Sequence, residues 1–410
     1  MNKVERTFPQ IKTERINCPL CGEINREFPS IEITNCLWKL TDGFLELPDL
    51  QYKFCPDHDL VWMSRRPTEP SFNTLYSHSP RLLRTDPEPN RPVDQERIQF
   101  VEQHVECPVN RWTDVGTNDG SLLLTAKNQG MEVLGLEPSS AAVERLNIFD
   151  DSIAVHNKRL QEGIEEGKAF APDVISLIHV FEHLPHPLDA LNSLKKMYPE
   201  YILLEVPDAG AGLFPRIFRE HGHLFYYTNN SIRRLLFKSG WNVVETDKTS
   251  SRGLRILARF DSEVPRYTSG QNEVDIEQFN DLNDRYSHLM DQEQSALDKW
   301  LKPMSSGASI GLYGAGSDGL RWLHRLQAVG REVNGFIDRN ADLLSFSAPG
   351  SYDVSKPNEQ SLSRLDALLI TPLGQQASIA TSIHNEFSSS PPLYWVEPDG
   401  TIASRESSHE

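Results

Sequence analysis

Four side chains near the amino terminus have the spacing of a metal site. Cys18-Pro-Leu-Cys21-Gly22 sets two thiols two residues apart, with a glycine that lets the backbone turn around an ion. Cys55-Pro-Asp-His58 repeats the spacing with one thiol and one imidazole. Three thiolates and an imidazole complete a tetrahedral shell with no open position, so Cys18, Cys21, Cys55 and His58 are the expected ligands of a structural zinc. The plainer alternative, ordinary buried cysteines beside a surface histidine, is disfavoured by the two matched half-sites. There are five cysteines; Cys36 and Cys107 read as core residues, and the odd, crowded set does not suit a disulfide framework in 410 residues.

A second set lies further along. Trp112 to Val115 reads as a short strand running into Gly116-Thr-Asn118-Asp119-Gly120, and Ser121 to Gln129 is helical. Glycines allow close approach of the backbone to a ligand, and the helix amino terminus presents free N–H groups. About twenty residues on, a strand over 133–136 ends in Glu137, where a carboxylate can accept both hydroxyls of a ribose. Asn118 replaces the second glycine of the dinucleotide fingerprint, and Asp114 and Asp119 place negative charge at the turn. Carboxylates repel a pyrophosphate but suit a sulfonium and an ammonium group, so the expected ligand is S-adenosylmethionine rather than NAD. Its candidate binding residues are Asp114, Gly116, Asn118, Asp119, Gly120 and Glu137.

Two histidines could handle a proton, and a polar set around Tyr76 could reach a neighbouring site. His183 follows the strand over 173–180 in Phe181-Glu182-His183-Leu184-Pro185, and ligands in open α/β sheets sit outside the carboxyl ends of the strands. His223 stands in His221-Gly222-His223-Leu224, ahead of a helix carrying Ile232, Leu235, Leu236 and Phe237. Either histidine could offer a base near neutral pH, although a lone histidine is more often structural. Tyr76 lies in Leu75-Tyr76-Ser77-His78-Ser79, inside the Pro-, Ser- and Asn-rich stretch 71–92 that reads as a loop, solvated on the plainer view.

Stepping outward to the elements, residues 101–260 alternate strands with helical patterns, as in a doubly wound sheet. Residues 274–301 carry apolar side chains at three- and four-residue intervals, which predicts a long amphipathic helix ending before Pro303. Beyond it a strand over 309–313, the turn Gly314-Ala-Gly316-Ser-Asp-Gly319, a helix, and a strand over 333–337 ending in Asp338 fit the Rossmann fingerprint. Strands follow at 367–370 and 393–396, and the tail from Ser404 is expected to be disordered. The expected segments are an amino-terminal zinc-binding domain over 1–100, a methyltransferase domain over 101–262, a linking helix over 263–303, and a Rossmann-like domain over 304–404.

Composition sets outer limits. A net charge of −17 with no Lys/Arg run disfavours a nucleic-acid partner. With 38% hydrophobic and 24% charged residues the chain reads as a globular protein, and no apolar stretch is long enough for a signal or a membrane span, so a cytoplasmic protein without a membrane partner is expected.

The order Cys-x-x-Cys, Cys-x-x-His, Asp-Val-Gly-x-Asn-Asp-Gly, Glu-His-Leu, Glu-Val-Pro, then Gly-x-Gly-x-x-Gly resembles the nucleotide-sugar C-methyltransferases of deoxysugar pathways over nearly the whole chain. The resemblance implies three modules: a small zinc-binding domain, a class I S-adenosylmethionine-dependent methyltransferase domain, and a Rossmann-like domain that helps hold a sugar nucleotide. By position His58 stands where that family usually has a fourth cysteine, and Tyr76 falls in the segment carrying its active-site tyrosine. His183 matches its Glu-His loop, and His223 matches the last residue of its Tyr-His-Glu-His motif. Here that motif reads Glu220-His221-Gly222-His223, so the tyrosine and glutamate associated with removing a proton beside a ketone are absent. The expected function is methyl transfer to a small nucleotide-linked sugar, C-methylation of a keto-sugar being what the resemblance favours, with O- or N-methylation and a non-catalytic nucleotide-sugar binder as the alternatives. An NAD-dependent oxidoreductase using the Gly314 turn is a further alternative.

Overall fold

The computed structural model describes residues 10–22, 26–34, 36–40, 43–77, 87–211, 222–249, 253–260, 272–339, 341 and 354–404. Glu220, His221, the pair His78 and Ser79, and the tail beyond Ser404 lie outside the described residues. The chain divides into two units that interleave in sequence: one takes the described parts of 1–34, 49–71 and 83–282, the other those of 35–48, 72–82 and 283–410. The stretch 1–100 is thus shared between the two.

The first unit is built on a seven-stranded sheet. Helix α1 (Pro92–His104) precedes β1 (Arg111–Val115), α2 (Ser121–Asn128), β2 (Glu132–Leu136), α3 (Ser140–Phe149), β3 (Ala154–His156), α4 (Ile164–Phe170), β4 (Val174–Ile178), α5 (Pro187–Lys195) and β5 (Tyr201–Pro207). Next come α6 (Asn229–Lys238), β6 (Trp241–Lys248) and β7 (Gly253–Phe260). The strand order is β6-β7-β5-β4-β1-β2-β3, with β7 antiparallel to both its neighbours and the remaining pairs parallel. The inner strands Val174-Ile-Ser-Leu-Ile and Tyr201-Ile-Leu-Leu-Glu-Val-Pro are almost continuously apolar because both sheet faces are covered. Trp112, Leu122, Leu123, Leu203 and Leu257 share one core cluster. The order reverses between β1 and β4, and such sheets bind ligands outside the carboxyl ends of the strands at that point.

A smaller antiparallel sheet in the same unit joins Thr13–Arg15, Leu60–Pro67, Leu50–Cys55 and Ser30–Ile33. Its strand Leu60–Pro67 also pairs with Phe225–Tyr227, which fixes the backbone just after His223. Helix α6 begins at a reciprocal cap between Thr228 and Ser231, a local reason for the chain to turn there.

The stretch 71–92, expected as loop, is partly helical: Glu69–Ser77 forms a helix. Phe72 and Leu75 are buried one turn apart, and burial of that face overrides the polar composition. Phe237, expected among the apolar face of α6, is instead exposed.

The second unit contains the hairpin Cys36–Leu40/Gly43–Leu47 and a six-stranded sheet. Helix α7 (Ile276–Leu301), which crosses the division between units, is followed by β8 (Ile310–Tyr313), α8 (Ser317–Ala328), β9 (Val333–Ile337), β10 (Val354–Ser355), β11 (Ala367–Ile370), β12 (Leu393–Val396) and β13 (Ile402–Ser404). Their order is β10-β9-β8-β11-β12-β13, parallel except for the last pair. Among the described residues no helix is long and apolar enough to cross a membrane.

Candidate active site and metal cluster

The bend after β1 is held from three sides. Gly116 has φ +76°, and a Cβ there would lie 2.4 Å from Val180 Cγ2, so only glycine fits. Its amide donates to the Leu136 carbonyl at 2.7 Å, tying the bend to the end of β2. Asn118 adopts φ +51°, a conformation its short amide side chain tolerates, and its backbone N–H donates to Glu137 Oε2 at 2.8 Å. The other Glu137 oxygen accepts from Ser139 N at 2.7 Å. The bend and the acid one strand over are thus in direct contact.

Charge at the bend differs from the expectation of two open carboxylates. Asp119 Oδ1 accepts from Ser121 N at 3.0 Å, capping α2, while Oδ2 lies 3.1 Å from Arg91 Nη1, which offsets its charge. Asp114 is buried, and burial pushes its carboxyl up to about 7 even though Ser176 Oγ donates to it at 2.5 Å. Glu137, wholly enclosed and accepting from the Asn118 and Ser139 amides, is the better anionic anchor.

At the neighbouring strand end, His179 leaves β4 with φ +53° and the turn Phe181–His183 follows. His183 Nδ1 donates to the Gly222 carbonyl at 2.8 Å, and the His183 and His223 rings meet edge to face with centroids 4.8 Å apart. The His223 backbone is pinned by the Tyr52 hydroxyl, which donates to its carbonyl at 2.7 Å. Leu224 N donates to the Glu182 carbonyl at 2.9 Å, so the two histidine segments are stitched together.

Burial, with His183 adding to it against the opposing pull of Glu182, brings the His223 imidazole down to about 3, leaving it neutral at physiological pH. His179 behaves oppositely: Glu182 and then Glu205 raise it to about 9. Glu182 is held below the usual carboxylate range, burial working against ionisation and His179 outweighing it. Tyr227, ring-stacked on Phe181, is raised well above its ordinary value by burial and then by Glu182.

Sequence reasoning named His183 and His223, which the fold brings together; Tyr76 belongs to the other unit, where its ring packs edge-on to Trp38 at 5.1 Å and against Phe72 at 6.2 Å. It missed Glu182, although this residue sits inside the quoted Glu-His motif, and it missed His179 and Glu205. A carboxylate in an apolar strand was the available signal for Glu205; no pattern announces a left-handed histidine at a strand end.

The amino-terminal set also converges. Ligand atoms of Cys18, Cys21, Cys55 and His58 all lie within 4.8 Å of one another. Gly22, at φ +66°, donates from its amide to the Cys18 carbonyl at 2.8 Å, which closes the first knuckle. Cys55 ends a strand, and its sulfur lies 3.3 Å from His58 Nδ1. The Cys18 thiol bonded to it draws Cys55 down to about 4, while Cys18 itself is pushed up by that bond and by burial. Three thiols and an imidazole gathered this closely are a donor set that could hold a metal ion. Cys36 is buried as expected, but Cys107 is exposed: it lies in the irregular link between α1 and β1, outside any packed face.

In the second unit the Gly314 turn uses the same device as the first bend. Asp338, just past β9, accepts from Ala315 N at 2.9 Å, and Gly314 takes φ +97°. A Cβ on Gly319 would fall 1.8 Å from the Gly314 carbonyl oxygen, so the helix can begin there only with glycine.

Residues 79–246 match a family model described as a methyltransferase domain. Over 106 residues the chain is 26% identical to a ubiquinone biosynthesis O-methyltransferase of Hahella chejuensis, covering 25% of this chain and 44% of that protein. A protein of the same description from Nitrosococcus oceani is 26% identical over 102 residues, 24% of this chain and 43% of its own length. The chain thus spans less than half the length of these curated relatives. Among solved structures, the 1,6-didemethyltoxoflavin-N1-methyltransferase of Burkholderia thailandensis aligns over 42% of this chain and 80% of its own, with 12% identity and a TM-score of 0.35. The magnesium protoporphyrin IX methyltransferase of Synechocystis PCC 6803 aligns over 42% and 78%, with 16% identity and a TM-score of 0.31. The chain carries a class I methyltransferase domain of the S-adenosylmethionine-dependent kind.

Proposed function

We propose that the chain transfers a methyl group from S-adenosylmethionine to an oxygen-bearing acceptor, a small nucleotide-linked sugar. The observation that carries this reading is the Glu137–Asn118 contact at the switch point: a carboxylate for the ribose stands on a glycine bend that brings backbone amides to the amino-acid end of the donor. Asp114, Gly116, Asn118, Asp119 and Gly120 form that bend; Asp119 acts by capping α2, and Asp114 by lining the floor beside Ser176.

Methyl transfer is an in-line displacement in which the enzyme mainly aligns two reactants. His183 and His223, at the end of the adjacent strand, are the side chains placed to activate the acceptor's hydroxyl; Glu182 lies among them. The absent tyrosine and glutamate of the resembling family, together with relatives named for O-methylation, support a hydroxyl acceptor over the carbon beside a ketone. The second unit's glycine turn, with Asp338 gripping it, suits a pyrophosphate and is the candidate holder of the nucleotide. Cys18, Cys21, Cys55 and His58 hold a structural zinc that braces the sheet pinning His223.

The test is to supply the donor with panels of hydroxy- and keto-sugar nucleotides and with a catechol, and to look for a methylated product by mass spectrometry. Product from a sugar nucleotide supports the proposal; product from the catechol alone reassigns the acceptor; tight sugar-nucleotide binding with no product indicates a non-catalytic binder.

A further inference from the structure

We propose that Glu182, His183 and His223 form a binding site for a divalent transition-metal ion, separate from the thiolate cluster. The inference rests on the methyl-transfer reading and deepens it: the ion is where the acceptor's oxygen binds.

One ligand atom from each of the three side chains lies within 4.8 Å of the other two. Two imidazoles and one carboxylate are a donor set that borderline metals such as zinc, cobalt and ferrous iron accept, and three protein ligands leave positions open for an outside oxygen. Glu182 is the observation that calls for an occupant. It is fully buried, and among the described residues neither carboxylate oxygen has a hydrogen-bond partner. His179 Nδ1 stands 3.5 Å from Oε1 as an ion-pair neighbour, which compensates charge without filling the lone pairs. The hydroxyl of buried Tyr227, four residues past His223, also lacks a hydrogen-bond partner among the described residues. Buried polar atoms left this way are rare, and a bound ion is one occupant that satisfies them.

The histidines are prepared for the role. The bond from His183 Nδ1 to the Gly222 carbonyl fixes the tautomer in which Nε2 keeps its lone pair, the arrangement metal-binding histidines usually show. The His223 backbone is held by Tyr52, and its segment is joined to Glu182 by the Leu224 amide, so the donors sit on connected, immobilised backbone. A site of this kind needs little reorganisation to load.

The chemistry follows from charge. An acceptor hydroxyl bound to the ion gives its proton to solvent, because the cation stabilises the alkoxide. That oxygen's electron pair forms the new O–C bond while the methyl C–S bond breaks, and the sulfonium departs as the neutral thioether S-adenosylhomocysteine. The metal keeps its oxidation state throughout.

Cobalt(II) is the probe, added to the whole chain with the metal of its cysteine cluster in place. Cobalt on the cysteine cluster gives a strong sulfur-to-metal charge-transfer band; cobalt on nitrogen and oxygen donors gives visible d–d absorption without it. The proposal expects thiolate-free cobalt uptake in the natural sequence, about 10- to 100-fold weaker in Glu182→Gln and in His183→Ala. The sulfur band is expected to stay absent, and S-adenosylhomocysteine affinity, read by calorimetry on the same samples, to stay unchanged. Absence of thiolate-free uptake in the natural sequence overturns the proposal, as does its persistence in both variants, whose folding is checked by circular dichroism. Cofactor binding without such uptake removes only the metal; uptake without cofactor binding removes the methyl-transfer reading and leaves the metal site standing.

Discussion

Arg97 grips Glu205 in the interior with two prongs, Nη2 lying 2.5 Å from Oε1 and Nε 3.1 Å from Oε2. From there opposite charges alternate outward. Asp94 lies 2.7 Å from Arg97 and 2.7 Å from Arg91, and Arg91 reaches Asp119 of the cofactor bend at 3.1 Å. On the other side Arg255 lies 2.9 Å from Glu205, and His179 stands 3.6 Å from Glu205 and 3.5 Å from Glu182. The bend and the histidine corner are therefore ends of one ionic chain, buried at Glu205 and Arg255 and exposed at His179.

Glu205→Ala removes the carboxylate that Arg97 and Arg255 share, leaving Arg97 with Asp94 and taking the buried Arg255 guanidinium's ion-pair partner away. Loss of one partner of such a group costs about 3–5 kcal/mol, to be read as a fall in the urea midpoint at neutral pH. In the natural sequence Glu205 is held below the usual carboxylate range, burial opposing and His179 and Arg97 outweighing it. Its contribution is therefore present above the unfolded value of about 4.3 and disappears as pH falls through the lower folded value. The variant shows no such component; a midpoint change within about 0.5 kcal/mol contradicts the account.

His179 sets the opposite pH limit. Its imidazole is raised from its ordinary value of 6.5 to about 9 by Glu182 and Glu205. The stability it contributes is fully present below the unfolded value and is lost as pH rises through the folded one. Melting temperatures taken from pH 6 to 10 are expected to decline more steeply across that window in the natural sequence than in His179→Gln. Parallel profiles exclude a charged His179.

Gly116→Ala places a methyl 2.4 Å from Val180 Cγ2 and forces a left-handed conformation on a residue with a Cβ. A cost of about 1–3 kcal/mol is expected, with weakened S-adenosylhomocysteine binding. Pairing it with Val180→Ala relieves the clash but not the backbone strain, so the double variant should recover part of the stability. Complete recovery, or none, contradicts the division of the cost into clash and strain.

Cys18→Ser and Cys107→Ser separate the ligating thiols from the bystander. The first is expected to release zinc, measured by elemental analysis, and to lower the melting temperature; the second, in an exposed position, changes neither. Zinc-free natural protein with an unchanged melt contradicts a structural ion at this cluster.

Much of this was readable beforehand, for a physical reason. Strand and glycine patterns are local: the predicted strands over 367–370 and 393–396 appear with those limits, and the bend after Val115 forms where glycine spacing placed it. What was illegible depends on distant residues meeting. Asp119 reads as a free acid until Arg91 is found beside it, and Asp114 reads as charged until its burial is known. Helix Glu69–Ser77 was hidden because Phe72 and Leu75 are too few to declare an apolar face without the core that covers them.

The most direct measurement is calorimetry of S-adenosylhomocysteine on the natural sequence and on Glu137→Ala. Losing hydrogen bonds from a ribose to a charged acceptor is worth about 1.5–3 kcal/mol, so the account predicts clear binding to the natural protein and roughly 10- to 100-fold weaker binding to the variant. No binding to the natural protein at millimolar ligand, or equal affinity for both, contradicts it.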